Sequence, residues 1–267
     1  MRFASVSCIG CGNMGSAFMR SIARAFPDVS RCAFDTDTEK LKAMDASPCR
    51  DEQDAASRGD IIILAVKPQV LSQVCAKLTS LENRRYVSLA PGFTTAQLSA
   101  MLGTRDVVRF MPTIAAAVSA SPVAVCWDEA DPPDWSGDAL ELAGCAGTAM
   151  HIPESLMASF IGVSGSGIAY VLQFIHALAL GGVQAGLPYR RAVELASATL
   201  SGAAALLEET GAHPAELVTQ VTSPGGTTIE GIHALEEGGF TASVMNAVTR
   251  SARKSETFSK PPGDTAP

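Results

Sequence analysis

The stretch that most constrains this chain is Gly10-Cys11-Gly12-Asn13-Met14-Gly15. It follows a short apolar run, Phe3 to Gly10, and opens a helical run from Ser16 to about Phe26, which Pro27-Asp28 ends. In a G-x-G-x-x-G turn between a strand and a helix, each glycine has a task. The first makes the tight turn, the second lets the backbone approach a pyrophosphate, and the third lets the helix pack on the strand. The helix N-terminus then faces the phosphate charge. A second apolar stretch, Arg31 to Phe34, stops at Asp35. An acid about 20 residues beyond the turn accepts hydrogen bonds from ribose hydroxyls and repels a 2′-phosphate. The fingerprint therefore predicts a dinucleotide site for NADH or NADPH, and Asp35 leans it to NADH. Lys40 is the one basic residue adjoining Asp35.

Asp60-Ile61-Ile62-Ile63-Leu64-Ala65-Val66 is an unbroken apolar run between Gly59 and Lys67-Pro68. Such a run suits a parallel strand covered on both faces. Tyr86 to Leu89, Asp106 to Phe110, Val123 to Trp127 and Thr148 to Ile152 read as further strands. Strands alternating with helices predict a doubly wound sheet. Ala65-Val66-Lys67-Pro68 and Leu89-Ala90-Pro91 fall at the carboxyl ends of strands, the edge that faces the ligand crevice. They join Gly10, Cys11, Gly12, Asn13, Met14, Gly15 and Asp35 as cofactor-binding candidates. Alone, Lys67 would read as a solvated loop charge and Pro91-Gly92 as an ordinary turn.

After Pro153 the pattern becomes helical: Leu156 to Leu180, Arg190 to Glu209, Pro214 to Val221, Thr228 to Glu237, and Thr241 to about Ser259. No Asp, Glu, Lys or Arg occurs from Ser155 to Tyr189. A span of about 20 apolar residues could cross a bilayer, but Ser164, Ser166, Gln173, His176 and several glycines interrupt this one. Burial in a protein core or subunit interface is the expectation, without a membrane. Few charges and many Ala and Gly residues point to a partner subunit. The α/β chain is thus expected to hold an N-terminal Rossmann-type doubly wound sheet (1–154), an all-α dimerisation and substrate domain (155–259) and a disordered tail (260–267). A homodimer is the minimum, and a ring of dimers is compatible with it.

Net charge is −7 and the pI near 5.1, which argues against a nucleic-acid partner. Seven cysteines scattered from Cys8 to Cys145 form no disulfide framework and suit a reducing, cytoplasmic setting. Cys8-x-x-Cys11 reads as buried thiols inside the strand and turn. The histidines, His151, His176, His213 and His233, lack metal-ligand spacing, so no metal is expected. His176 reads as an interior or interface residue.

Val221 to Glu236 carries a second anion signature. A small-residue turn, Thr222 to Gly226, precedes an amphipathic helix. Thr227 or Thr228 is the expected N-cap, with Glu230 closing a capping box. Gly225 and Gly226 leave backbone N–H groups open, and bare amides at a helix N-terminus hold anions. A substrate carboxylate is the expected occupant.

Taken together these stretches resemble pyrroline-5-carboxylate reductases. The resemblance runs in order through Gly10–Gly15, Ala65-Val-Lys-Pro-Gln69, Arg109-Phe-Met-Pro112, Ser164-Gly-Ser-Gly167 with Ala169-Tyr170, Gly186-Leu-Pro188 and Val221-Thr-Ser-Pro-Gly-Gly-Thr-Thr-Ile229. It implies a helical domain that dimerises by interleaving, and an active site between the cofactor and a loop of that domain. It further implies that Ser223, Gly225, Gly226 and Thr227 bind an imino-acid carboxylate. Thr228 would hydrogen-bond the ring nitrogen as the catalytic residue. Where the family has Asn-Thr-Pro, this chain has Thr113-Ile114-Ala115; Ile168 replaces a usual Pro, His176 a common acid, and Ala198 a usual Gln. A related imine reductase acting on another cyclic imino acid is the alternative. A 3-hydroxyacid dehydrogenase would need a Lys in the second domain, and none occurs between Lys77 and Lys254. A non-enzymatic nucleotide sensor is a further alternative.

Overall fold

The computed structural model describes residues 3–258 except 43, 80, 82 and 83; the expected tail at 260–267 lies outside them. Two compact units emerge: described residues up to Gly165 together with those from Ser251, and Ser166–Arg250.

The first unit is built on an eight-stranded sheet. Its elements are β1 (Ser5–Ile9), α1 (Asn13–Ala25), β2 (Ser30–Phe34), α2 (Thr38–Lys42), β3 (Ser47–Pro48), α3 (Glu52–Arg58), β4 (Ile61–Leu64), α4 (Pro68–Ala76), β5 (Arg85–Ser88), α5 (Thr95–Leu102) and β6 (Val107–Met111). β7 (Ser121–Cys126), α6 (Ser136–Gly144), β8 (Gly147–His151) and a one-turn helix, α7 (Met157–Phe160), follow. The strand order is β3-β2-β1-β4-β5-β6-β7-β8. Among the described residues only the β6–β7 pair is antiparallel. The winding reverses beside β1, so the chain leaves β1 and β4 on neighbouring strands with a crevice at their carboxyl ends.

The unbroken apolar run of β4 has a direct cause. Ile61 and Ile63 enter one core with Phe18 and Ile22 of α1 and Leu142 of α6. Ile62 and Leu64 enter another with Ala55 of α3, Leu71 of α4 and Leu98 of α5. Successive residues of a strand point to opposite faces, and here both faces are covered. Each such side chain contributes roughly 1.5–3 kcal/mol on burial.

The second unit contains α8 (Gly167–Gln184), α9 (Tyr189–Thr210), α10 (Pro214–Val221), α11 (Thr227–Glu237) and most of α12 (Phe240–Phe258). Helices α8 and α9 approach closely where Gly182 faces Ala192; a Cβ on Gly182 would lie 3.0 Å from the Ala192 Cβ. Phe174 of α8 packs on Phe240 of α12, ring centroids 5.7 Å apart. The helix expected from Leu156 is not continuous. A π-helical turn, Ile161–Gly165, separates α7 from α8, where Gly162 and Gly165 weaken regular helix. Glu154–Gln184 as a whole is long and apolar enough to span a bilayer, by length and composition only.

Candidate active site

The glycine turn links β1 to α1. Gly10 adopts φ +101°, and a Cβ there would meet the Ala65 backbone at 2.7 Å. A Cβ on Gly15 would strike the Gly10 carbonyl, whereas one on Gly12 would meet nothing within 4 Å. Two glycines are thus required by backbone packing and the middle one leaves an open approach, which is what a dinucleotide cradle needs. Gly12 caps α1 without any side-chain bond, and the first amides of a helix have no intrahelical acceptor. Cys11 and Gly15 are buried, Asn13 is exposed, and Met14 is half-buried.

Asp35 ends β2 beside this turn. Its Oδ2 accepts the Cys11 N–H at 2.6 Å, and its Oδ1 accepts the Asp37 N–H at 2.8 Å. Lys40 Nζ stands 3.6 Å from Oδ1. A cavity of about 260 Å³ lies on this side, lined by Gly10, Phe34, Asp35, Thr36 and Val66 among others. A second, of about 440 Å³, is lined by Cys11, Gly12, Asn13, Met14, Arg20, Lys40 and Ile114 among others. The parallel pairing of β4 with β1 and β5 brings Ala65-Val66-Lys67-Pro68 and Leu89-Ala90-Pro91 to the same sheet edge. Lys67 is exposed and caps α4 through its backbone, with Pro68 in the first helical turn. Leu89 and Ala90 are buried, and Pro91 is exposed.

Thr113 is buried and structural here. Its N–H donates to Ser121 Oγ at 2.8 Å, and its Oγ1 accepts the Ala115 N–H, capping a 3₁₀ turn at Ile114–Val118. Ile114 is exposed and faces the larger cavity. A feature with no local signal is the ion pair of buried Arg109 with Glu154. Glu154 also accepts the N–H and hydroxyl of Thr95 at 2.9 and 2.8 Å, tying the middle of β6 to the start of α5. The partners are 45 and 59 residues apart, so no sequence spacing announces them.

In the second unit, Ser223, Gly225, Gly226, Thr227 and Thr228 form the loop from α10 into α11. Gly225 adopts φ +66°, and the Gly226 N–H donates to the Ser223 carbonyl at 3.0 Å. The expected capping box is not formed. Gly226 is the N-cap, extended and without a side-chain bond, and Thr227 and Thr228 are the first helical residues. Because the loop turns at glycine, both threonine side chains are released from capping, and the amides opening α11 stay unsatisfied. Thr228 is half-buried and lines an apolar cavity of about 430 Å³ with Leu207, Val218 and Ile232. His176 is not interior within this chain: it is exposed, its Nδ1 3.1 Å from the Tyr189 hydroxyl.

All seven cysteines are buried and unbridged. A hydrogen bond with Cys11 and burial push the Cys8 thiol up, and burial pushes that of Cys145 to about 12. Protonated, shielded thiols of this kind are not nucleophiles.

Comparison with known proteins bears on both halves. The model of pyrroline-5-carboxylate reductase dimerisation matches residues 154–258, and that of coenzyme F420-dependent NADP oxidoreductase matches residues 5–92. A pyrroline-5-carboxylate reductase of Methanosarcina acetivorans is 40% identical, covering 97% of this chain and 100% of its own length. The structure of one from Coxiella burnetii superposes with TM-score 0.87 at 29% identity, covering 96% of this chain and 98% of the other. A Plasmodium falciparum pyrroline carboxylate reductase structure with NADP bound gives TM-score 0.85 at 25% identity, covering 96% and 98%.

Proposed function

The chain belongs to the pyrroline-5-carboxylate reductase family, and on that premise we propose that it reduces 1-pyrroline-5-carboxylate to L-proline with NADH or NADPH. The observation that carries the reading is the uncapped N-terminus of α11 after Gly225-Gly226, in a chain that also holds a glycine cradle with an open Gly12. One is suited to a carboxylate, the other to a dinucleotide.

When bound, the nicotinamide supplies a hydride to the C=N carbon. The chain's own residues hold and orient. Gly10, Cys11, Gly12, Asn13, Met14 and Gly15 cradle the dinucleotide phosphates, Asp35 takes the ribose, and Ala65–Pro68 with Leu89–Pro91 wall the crevice. The N–H groups of Gly225, Gly226 and Thr227 take the substrate carboxylate, with Ser223 fixing the turn. The cyclic imine is basic enough to arrive protonated, so its N–H donates to Thr228 Oγ1. The carbon gains the hydride, the C=N π pair becomes the nitrogen lone pair, and a neutral secondary amine results. No strong general acid is required; positioning can supply several kcal/mol. Asp35 supports NADH as the preferred donor. The unbridged cysteines support a cytoplasmic setting, and the apolar helical face supports a homodimer, extended to a ring of dimers, rather than a membrane.

Steady-state rates with five-membered and six-membered cyclic imino acids test the substrate. Good turnover of the larger ring with poor turnover of pyrroline-5-carboxylate would replace the proposed substrate. Thr228→Ala is expected to lower kcat about 100-fold, on the order of one positioned catalytic hydrogen bond; an unchanged kcat removes Thr228 from the mechanism.

A further inference from the structure

Glu154 holds two groups that lie far apart in sequence. One of its oxygens pairs with Arg109 in the middle of β6; the other accepts the Thr95 N–H and hydroxyl at 2.9 and 2.8 Å. Arg109 is 3% exposed, and a pair held out of water fixes its partners more firmly than one at the surface. Thr95 opens α5, and the turn just before it is Leu89-Ala90-Pro91-Gly92-Phe93-Thr94. The sheet fixes that turn at its other end, where the Leu89 N–H donates to the Leu64 carbonyl at 2.9 Å. A capping box of Thr94 with Gln97 already starts α5. The Glu154 bonds are additional to it, and they tie the helix start sideways to β6.

Glu154 also opens the segment by which the chain leaves the sheet unit, and Ser251–Phe258 is the segment by which it returns. The returning segment reaches the same turn. Gly92 has φ +85°, and a Cβ there would lie 3.1 Å from the Phe258 carbonyl oxygen. Both crossings of the chain thus bear on one turn, the turn whose first residues wall the crevice in the reductase reading.

We propose that Glu154 is a positioning residue for hydride transfer, a role that rests on the reductase reading: through Arg109 and Thr95 it latches the turn Leu89–Thr94 against the sheet. The dinucleotide phosphates are assigned to the glycine turn on β1, which the latch does not touch. Opening the latch should therefore leave cofactor affinity and slow the transfer, which needs the reacting atoms about 3–3.5 Å apart.

The test replaces the ion pair by an apolar one, Arg109→Met with Glu154→Met. This removes the acceptor for Thr95 without leaving a buried charge unpaired. Thr95→Val deletes the hydroxyl alone, and Thr95→Ser keeps it. Measured on the full chain are kcat and KM with pyrroline-5-carboxylate, NADH affinity by fluorescence titration, and the melting temperature. The double variant is expected to lower kcat about 30-fold and Thr95→Val about 10-fold, within what a small misplacement of reacting groups costs. NADH affinity and imino-acid KM should stay within about threefold of wild type, and Thr95→Ser within about twofold in kcat. A merely structural role would move the melting temperature and leave kcat. A folded double variant with wild-type kcat, a loss confined to NADH affinity, or Thr95→Ser as slow as Thr95→Val overturns the proposal. If the double variant does not fold, Thr95→Val decides, and wild-type kcat there overturns it. A wild type that turns over no cyclic imine overturns the reductase reading and the positioning role with it. Wild-type turnover that the variants leave unchanged overturns the positioning role alone.

Discussion

Ile62 and Leu195 are both aliphatic residues inside regular elements, yet Ile62 is fully buried and Leu195 is 55% exposed. The contrast extends over the two units. The sheet unit closes two cores, one on each face. The helical unit buries only small residues in its helices, Gly167, Ala179, Ala192 and Ala196, and exposes Leu172, Leu178, Leu206, Val218, Leu235 and Met245. Its α8–α9 face also carries an apolar groove of about 1000 Å³. One unit finds its core within the chain; the other needs a second chain to finish one, as the dimerisation match over 154–258 accords with.

The largest expected effect breaks that comparison if it fails. Leu195→Asp puts a charge in the exposed apolar groove. It should convert dimer to monomer in sedimentation and lower turnover more than 100-fold. Fluorescence binding of NADH to the sheet unit should change less than threefold. Wild-type protein should show a melting temperature that rises with concentration, as mass action requires of a dimer. A monomeric wild type with concentration-independent melting would remove the need for a partner.

The next change probes the self-sufficient core. Phe110 is fully buried in β6, its ring 5.7 Å from that of Phe18. Phe110→Ala should cost about 3–5 kcal/mol, read from chemical denaturation of the sheet-unit transition. The cost should not depend on protein concentration. A smaller effect sharpens the contrast from the other side. Gly182→Val drives a side chain into Ala192, whose Cβ lies 3.0 Å from the position of the new Cβ. Overpacking there should cost about 1–3 kcal/mol. Because the strain separates two helices of the dimerising unit, it should appear as weakened dimerisation in sedimentation, with NADH affinity unchanged.

What the sequence revealed follows from the range over which each signal acts. The glycine turn and the β4 run are local patterns whose backbone demands are met within a few residues, and both formed as read. The reversal of direction at β6–β7 is a pairing choice between strands and leaves no mark on either strand's composition. Short helices such as α3 and α6 hold too few turns to show a period. At the loop into α11 the turn and the helix start were legible, but the cap was not. Threonine beside glycine offers two candidate caps, and the turn closed by Ser223 decided for Gly226. Glu154 was invisible because its role depends on Arg109 and Thr95, which only the fold brings to it.

The smallest expected effect concerns acid, and it too separates the units. Asp60 immediately precedes β4, and its Oδ2 accepts the Ala4 and Ser5 N–H groups at 2.7 and 3.0 Å. Burial alone would raise its pKa, but those bonds, the Ser5 hydroxyl and nearby Arg84 together hold it below the usual carboxylate value. A carboxylate whose folded pKa is depressed adds stability that is fully present above its unfolded pKa of about 3.9 and is lost as pH falls through the folded value. Asp60→Asn should therefore lower the stability of the sheet unit at pH 7 and flatten its dependence on pH below about 4, read from denaturation midpoints. Dimer dissociation over the same range should follow the wild type, since Asp60 belongs to the unit that completes its own core. An equal shift of both transitions in the mutant would mean that the two units unfold as one.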